Sequence, residues 1–222
     1  MLSCRDLVKT YTTERGTIDA VRALSLEVAD GSYTAVIGRS GSGKSSLMSM
    51  IGGLSRPSAG SVRVDGTDIW SLSDDGLADF RNRRIGYVFQ AASLLPALRL
   101  IDNVALPAVL GRRRDVGSSY DRAAGLLARF GLSGYVDAYP AEVSAGEQRR
   151  ASIARALINA PQLLLADEPT SDLDEQTEIE IMAELVRINR DEGTTLVLVT
   201  HNLELAGQAD RLVHIADGSL VQ

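Results

Sequence analysis

The chain has 222 residues, 45% of them hydrophobic and 23% charged, with a formal net charge of −6 at pH 7. That length suits one domain with a sizeable core and room for a small subdomain, and the acidic balance argues against nucleic-acid binding driven by bulk electrostatics. Cys4 is the only cysteine, which excludes an intramolecular disulfide and fits a reducing compartment. The N-terminus has no apolar stretch of the secretory kind, and the longest apolar runs, at 163–166 and 196–199, fall far short of the ~20 residues that span a bilayer. The expectation is a cytoplasmic protein. If it works at a membrane, another chain supplies the span.

In chain order, the first thirty residues alternate and turn near Glu14-Arg15-Gly16, predicting an antiparallel hairpin beside the main sheet. Residues 33–37 predict a strand that leads into a glycine-rich loop, followed by a helix from Lys44 to about Gly52. The runs 85–89, 163–166 and 195–199 are nearly all apolar and too short for typical helices, so they predict strands buried on both faces of a parallel sheet. From about Gln90 to Pro161 the pattern is mostly helical, with breaks expected at Pro96, Pro107 and Pro140, which predicts a helical subdomain. Further on, Ile181, Met182, Leu185 and Ile188 form one apolar stripe. Asp174 and Glu175 stand at the start of that helix, where its dipole favours negative charge.

The loop Gly38-Arg39-Ser40-Gly41-Ser42-Gly43-Lys44-Ser45 fits G-x-x-x-x-G-K-[ST]. Glycines let several backbone N–H groups point at one phosphate, and the helix N-terminus adds its partial positive charge. Lys44 is expected to reach the β- and γ-phosphates and Ser45 to ligate Mg²⁺, with Ser46 next in the phosphate-binding set. The fold class expected is α/β: a P-loop NTPase with a mostly parallel core sheet, an N-terminal antiparallel β subdomain and an inserted helical subdomain. Asp167, at the tip of the strand 163–166, is placed as a Mg²⁺ partner, and Glu168 beside the γ-phosphate as the group that orients or deprotonates water. His201 closes the run 195–200. A lone histidine there is more often structural, and His214 is read as structural outright.

The stretch Val143-Ser144-Ala145-Gly146-Glu147-Gln148-Arg149-Arg150-Ala151-Ser152-Ile153-Ala154-Arg155-Ala156-Leu157 resembles the L-S-G-G-Q signature and following helix of ATP-binding cassette (ABC) ATPases. The resemblance covers essentially the whole chain. It implies that Tyr11 stacks on adenine, that Gln90 is the glutamine linking Mg²⁺ to the transporter interface, that Ser171-Asp172-Leu173-Asp174 is the D-loop and that His201 contacts the γ-phosphate. Arg83-Arg84-Ile85-Gly86-Tyr87-Val88-Phe89-Gln90, Leu94-Leu95-Pro96 and Asn103-Val104 resemble the group serving lipoprotein release, macrolide export and cell division.

On this resemblance, residues 1–90 and 161–222 form the nucleotide-binding core and about 91–160 the helical subdomain of a single ABC domain. The nucleotide would lie between one subunit's Lys44 loop and the other's Ser144, Gly146 and Glu147, in a head-to-tail homodimer or heterodimer. ATP and Mg²⁺ are the implied ligands, a separate permease the partner, and the inner face of the membrane the location, with docking through 90–110. No nucleic-acid partner is expected.

Three departures stand out. Ala145 replaces a glycine and would restrict a backbone that needs positive φ, Glu147 replaces glutamine and brings a negative charge near phosphate, and Asp172 replaces a small residue. Arg112-Arg113-Arg114 and Arg81-Asn82-Arg83-Arg84 read as solvated faces ahead of permease or lipid contacts. Two other readings remain: a cassette working off the membrane, disfavoured by the missing coiled coils and second cassette, and a module that binds ATP with little turnover.

Overall fold

A computed structural model describes residues 1–14, 16–111, 115–171 and 173–221. Strands β1 (Leu2–Thr13) and β2 (Gly16–Val28) form the expected antiparallel hairpin, paired from Leu2 opposite Val28 to Thr13 opposite Gly16 with register shifts between Cys4 and Thr10. After β3 (Tyr33–Ile37) and helix α1 (Lys44–Ile51), the chain returns to the hairpin through β4 (Ala59–Val64) and β5 (Thr67–Asp68). The small sheet therefore has the order β2-β1-β4-β5. Helix α2 (Asp74–Arg84), capped by the Ser73 hydroxyl, then leads into β6 (Ile85–Val88). Sequence reading foresaw neither β4–β5 nor α2. Two strands separated by Asp65-Gly66 in a polar stretch carry little apolar periodicity of their own.

Helices α3 (Leu100–Leu110), α4 (Val116–Arg129) and α5 (Ala145–Leu157) occupy the predicted helical stretch. They are followed by β7 (Leu163–Asp167), α6 (Glu175–Glu192), β8 (Thr195–Val199), α7 (Leu203–Ala206), β9 (Arg211–Ala216) and β10 (Ser219–Val221). The main sheet runs β10-β9-β3-β8-β7-β6, all parallel except the β10–β9 pair.

Strand side chains alternate between faces, and the sheet consequently separates two cores. Leu164, Ala166, Leu196 and Leu198 pack with residues of α3, α4, α5 and α6. Leu163, Leu165, Val197 and Val199 pack with α1, β1, β2 and β4. β7 and β8 are buried throughout, as their near-continuous apolar sequences require. The predicted stripe of α6 is borne out: Ile181, Met182, Leu185 and Ile188 are all buried.

One expected break is absent. Pro107 lies inside α3, although its ring removes a backbone donor and costs roughly 3 kcal/mol in a helix interior. Tertiary contacts offset that cost. Leu100, Val104, Ala105 and Ala108 are buried, and the Pro107 carbonyl accepts from Gly111 N at 3.1 Å and Asn82 Nδ2 at 2.8 Å. The buried Asn103 amide fixes the start of the helix, accepting from Leu95 N at 2.7 Å and donating to the carbonyls of Leu95, Leu98 and Arg99. Pro140 takes the first position of a 3₁₀ turn (Pro140–Glu142), where a missing N–H is harmless. Among the described residues, no helix is long and apolar enough to cross a membrane.

Candidate functional site

The loop 38–45 joins β3 to α1 and rests against neighbouring backbone. Gly43 has φ +103°, and a Cβ there would sit 2.2 Å from the Ala20 carbonyl oxygen of β2. Gly38 has φ +158°, and a Cβ there would stand 2.2 Å from Ile215 O and 2.7 Å from Ser42 Oγ. Glycine is required at both positions by contact as well as by conformation. Lys44 is buried, with Nζ donating to Gly38 O at 2.8 Å and Arg39 O at 2.9 Å, so its ammonium arches over its own loop. Ser42 Oγ is buried without a hydrogen-bond partner, while Arg39, Ser40 and Gly41 are exposed. A buried orphan hydroxyl, a caged ammonium and a helix start suit a bound anion.

Asp167 ends β7, which is separated from β3 by β8. Its carboxyl is mostly buried and hydrogen-bonded to the Ser45 side chain. Burial pushes its pKa above the usual carboxylate range and the Glu168 charge adds to this, while Ser45 and Lys44 pull the other way. Glu168 follows with φ +45°, a left-handed backbone unusual for a non-glycine residue. Three bonds hold it there: Glu168 N donates to Val199 O at 2.9 Å, and Ser171 N and Oγ donate to Glu168 O at 3.2 and 3.1 Å. The turn swings the carboxylate off the strand axis. There Glu168 Oε2 accepts from Gln90 Nε2 at 3.1 Å and lies 4.0 Å from His201 Nδ1, whose imidazole is exposed. Tyr11, partly exposed on β1, brings its hydroxyl to 3.4 Å from Ser46 Oγ in the first turn of α1, with Lys9 Nζ 4.9 Å from its ring centre.

The structure thus gathers residues 38–46, Gln90, Asp167, Glu168, His201 and Tyr11 around the C-terminal ends of the parallel strands. Ser144, Gly146 and Glu147 form a separate cluster at the start of α5. Ser144 is the N-cap, and Glu147 closes a capping box with it. Ser144 N and Oγ each donate to Glu147 Oε2 at 2.8 Å, and Glu147 N donates back to Ser144 Oγ at 3.3 Å. A Cβ on Gly146 would stand 3.1 Å from Thr177 Cγ2 in the first turn of α6. Asp174 caps α6, accepting from Thr177 N at 3.0 Å and Thr177 Oγ1 at 2.7 Å.

Contrary to expectation, Ala145 does not need a positive φ: it is the first residue of α5, so the added methyl costs no backbone strain. Asp172 and Arg112–Arg114 lie outside the described residues. Arg81 donates to Gly53 O at 2.6 Å, Arg83 pairs with Asp79, and Arg84 lies 3.8 Å from Asp65. His214 is an exposed residue of β9, paired with Val221.

Sequence reading missed two arginines that tie the segment around Gln90 to α5. Buried Arg149 donates to Phe89 O at 2.7 Å, and Arg155 donates to Ser93 O at 2.8 Å and Ala92 O at 3.2 Å. The available signal was the pair Arg149-Arg150 before, and Arg155 after, the short run Ala151-Ser152-Ile153-Ala154, all four of whose residues are buried.

A glycine loop at the end of a parallel strand, opening a helix and faced by a carboxylate from a nearby strand tip, defines a P-loop nucleotide-binding protein. The sequence profile of the family described as "ABC transporter" matches residues 21–171, and the chain belongs to that family. It is 43% identical to the lipoprotein-releasing system ATP-binding protein LolD of Geobacter metallireducens over 100% of this chain and 98% of that protein. It is 42% identical to the macrolide export ATP-binding/permease protein MacB of Syntrophobacter fumaroxidans, over 98% of this chain but only 31% of that protein. A dimeric structure of the ATP-binding cassette MJ0796 in a post-hydrolysis state bound to ADP and Pi superposes with a TM-score of 0.94 at 35% identity, covering 100% of this chain and 97% of the other. The chain is an ATP-binding and ATP-hydrolysing subunit of an ABC transporter.

Proposed function

We propose that residues 38–46 hold the triphosphate of ATP, with Tyr11 against the adenine, Ser45 and Asp167 on Mg²⁺ with Gln90 beside them, and Glu168 as the base that directs water at the γ-phosphate. The observation that carries this reading is the convergence of Lys44, Ser45, Asp167 and Glu168 from two strand ends onto one loop. One carboxylate and one hydroxyl make a sparse ligand set, and the described residues hold no group of three or more His, Cys, Asp or Glu that could hold a metal ion. A sparse set fits Mg²⁺, which keeps waters and takes phosphate oxygens alongside one or two carboxylates. When bound, the ion neutralises charge on the phosphate oxygens. His201 is placed to meet the γ-phosphate, and Asp174 to present its loop to the second nucleotide site.

Two copies of the chain pair head to tail, so that Ser144 and Gly146 of one approach nucleotide held by the Lys44 loop of the other. The dimeric structure of the related cassette supports pairing of two copies. Core 1–90 and 161–222 carries the nucleotide, and 91–160 carries the signature as a helical subdomain. A separate permease, on the inner face of the membrane, receives the stroke through 90–110, where Leu95 and Leu110 are exposed. The work done is export, or extraction of lipoprotein or lipid, and the names of the relatives, one for macrolide export and one for lipoprotein release, support it.

The test is Glu168→Gln. It keeps the shape of the side chain and removes its basicity, so ATP binding in magnesium buffer is retained while single-turnover hydrolysis falls by about 10²–10⁴-fold. Hydrolysis at the parent rate removes Glu168 from the base role.

A further inference from the structure

The start of α5 is exposed at Ser144, yet the hydroxyl there is already engaged. Ser144 Oγ has a single proton, and that proton points to Glu147 Oε2 at 2.8 Å. The same carboxylate oxygen takes the Ser144 N–H at 2.8 Å. Ser144 Oγ in turn accepts from Glu147 N at 3.3 Å. An ionised carboxylate only accepts hydrogen bonds, so the hydroxyl proton has one direction open to it. The Ser144 N–H first, and then its hydroxyl, hold the Glu147 carboxyl below the usual carboxylate range, with Tyr135 and Arg150 adding to the effect. Arg150 is itself shared with Glu180 at 3.5 Å.

We propose that Glu147 is a positioning residue that holds the Ser144 hydroxyl proton, so that closing two copies on ATP requires this bond to break before Ser144 can donate to phosphate. The inference rests on the head-to-tail reading above and adds a restraint internal to each subunit. Glutamine at 147 closes the same capping box through its carbonyl oxygen, so the helix start is preserved. A neutral acceptor holds the hydroxyl about half as strongly as an ionised one. Glu147 therefore sets the closing threshold without being needed for the fold.

The experiment uses the full chain carrying Glu168→Gln to prevent turnover, titrated with ATP and Mg²⁺, with dimer formation read by sedimentation or light scattering. Glu147→Gln lowers the ATP concentration for half-maximal pairing by about five- to ten-fold, the difference between a charged and a neutral acceptor. Glu147→Ala lowers it as well, although alanine abolishes the capping box. A purely structural cap would raise it instead. In a Ser144→Ala background the gain from Glu147→Gln shrinks to about two-fold or less, because the two residues act as one unit. In the hydrolysing chain, Glu147→Gln lowers KM for ATP more than it alters kcat.

An unchanged or weakened pairing in Glu147→Gln overturns the inference. So does an equal gain with and without Ser144, which would leave charge repulsion as the whole effect. A chain that binds ATP but stays monomeric in every variant sinks the head-to-tail reading itself, and this inference with it. Melting temperatures of the variants, measured without nucleotide, separate misfolding from all of these results.

Discussion

Gln90 Nε2 donates to Glu168 Oε2 at 3.1 Å, joining residues 78 apart in sequence. Gln90 sits just beyond Phe89, whose carbonyl is held by Arg149, and just before Ala92 and Ser93, held by Arg155. Glu168 is thereby connected through one segment to α5, the helix that begins at Ser144. The link from α5 to the carboxylate runs through Arg149, Arg155 and Gln90, each with a defined hydrogen-bond partner.

Removing the Gln90 amide leaves Glu168 without its donor while sparing the loop 38–45. Gln90→Ala is expected to slow hydrolysis by about 10–100-fold, the usual cost of a reacting group displaced by about an ångström. Nucleotide affinity, followed by fluorescence of a labelled ATP analogue, should stay within a factor of a few. A large loss of affinity would place Gln90 among the binding groups instead.

Asp167 gives a pH signature. Its pKa is raised by burial, so its ionised form is the destabilised one in the folded chain. Stability associated with this group is full below the ordinary carboxylate range and is lost as pH rises through the raised pKa. Asp167→Asn should therefore melt at or above the parent temperature at pH 7 without nucleotide, with the gap closing as the solution is acidified. The increase in melting temperature that ATP and Mg²⁺ give the parent should vanish in the variant. Calorimetry across pH checks both; a variant less stable at neutral pH than in acid, relative to the parent, would contradict the sign.

Gly43→Ala tests whether the loop is held by its neighbours. With 2.2 Å available between a Cβ and Ala20 O, and φ at +103°, the backbone must move. The expected cost is about 3 kcal/mol of unfolding free energy, together with loss of nucleotide binding. Chemical denaturation measures the first and equilibrium binding the second. Gly41, also left-handed at φ +78° but with nothing within 4 Å of a Cβ, controls for the contact: Gly41→Ala keeps the backbone strain and should cost clearly less.

Arg149→Ala deprives the Phe89 carbonyl of a buried donor. Loss of about 2 kcal/mol is expected, and a fall in melting temperature of about 4–8 °C for a chain of this size. Cleavage by a nonspecific protease should increase selectively at 89–95. General fragility, without that selectivity, would argue that Arg149 stabilises the core and not the segment.

Much of the fold was legible because local pattern and burial agree. Residues 33–37 and 195–199 are apolar except for Thr34 and Thr195 and lie in strands with both faces covered. The stripe from Ile181 to Ile188 faces the core, and Asp174 caps its helix as its charge suggested. Pro107 does not break α3 because packing around Asn103 and Ala108 outweighs the local cost of proline, which is all that the sequence displays. β4 escaped because its partner β1 lies some sixty residues away in sequence, with Leu2 opposite Val64, and β5 because its two residues pair with β4 alone.

The sequence by itself determined the chemistry available at the site. The glycines, Lys44, Ser45, Asp167 and Glu168 are readable because phosphate contact demands particular residue types at fixed local spacing. Only the tertiary structure decided what each group touches: Glu168 turned toward Gln90 by its left-handed backbone, Ser144 engaged by Glu147, and two arginines gripping the Gln90 segment. Those relationships join parts of the chain through hydrogen-bond geometry that no local spacing encodes, because the orientation of a side chain is set by everything packed around it.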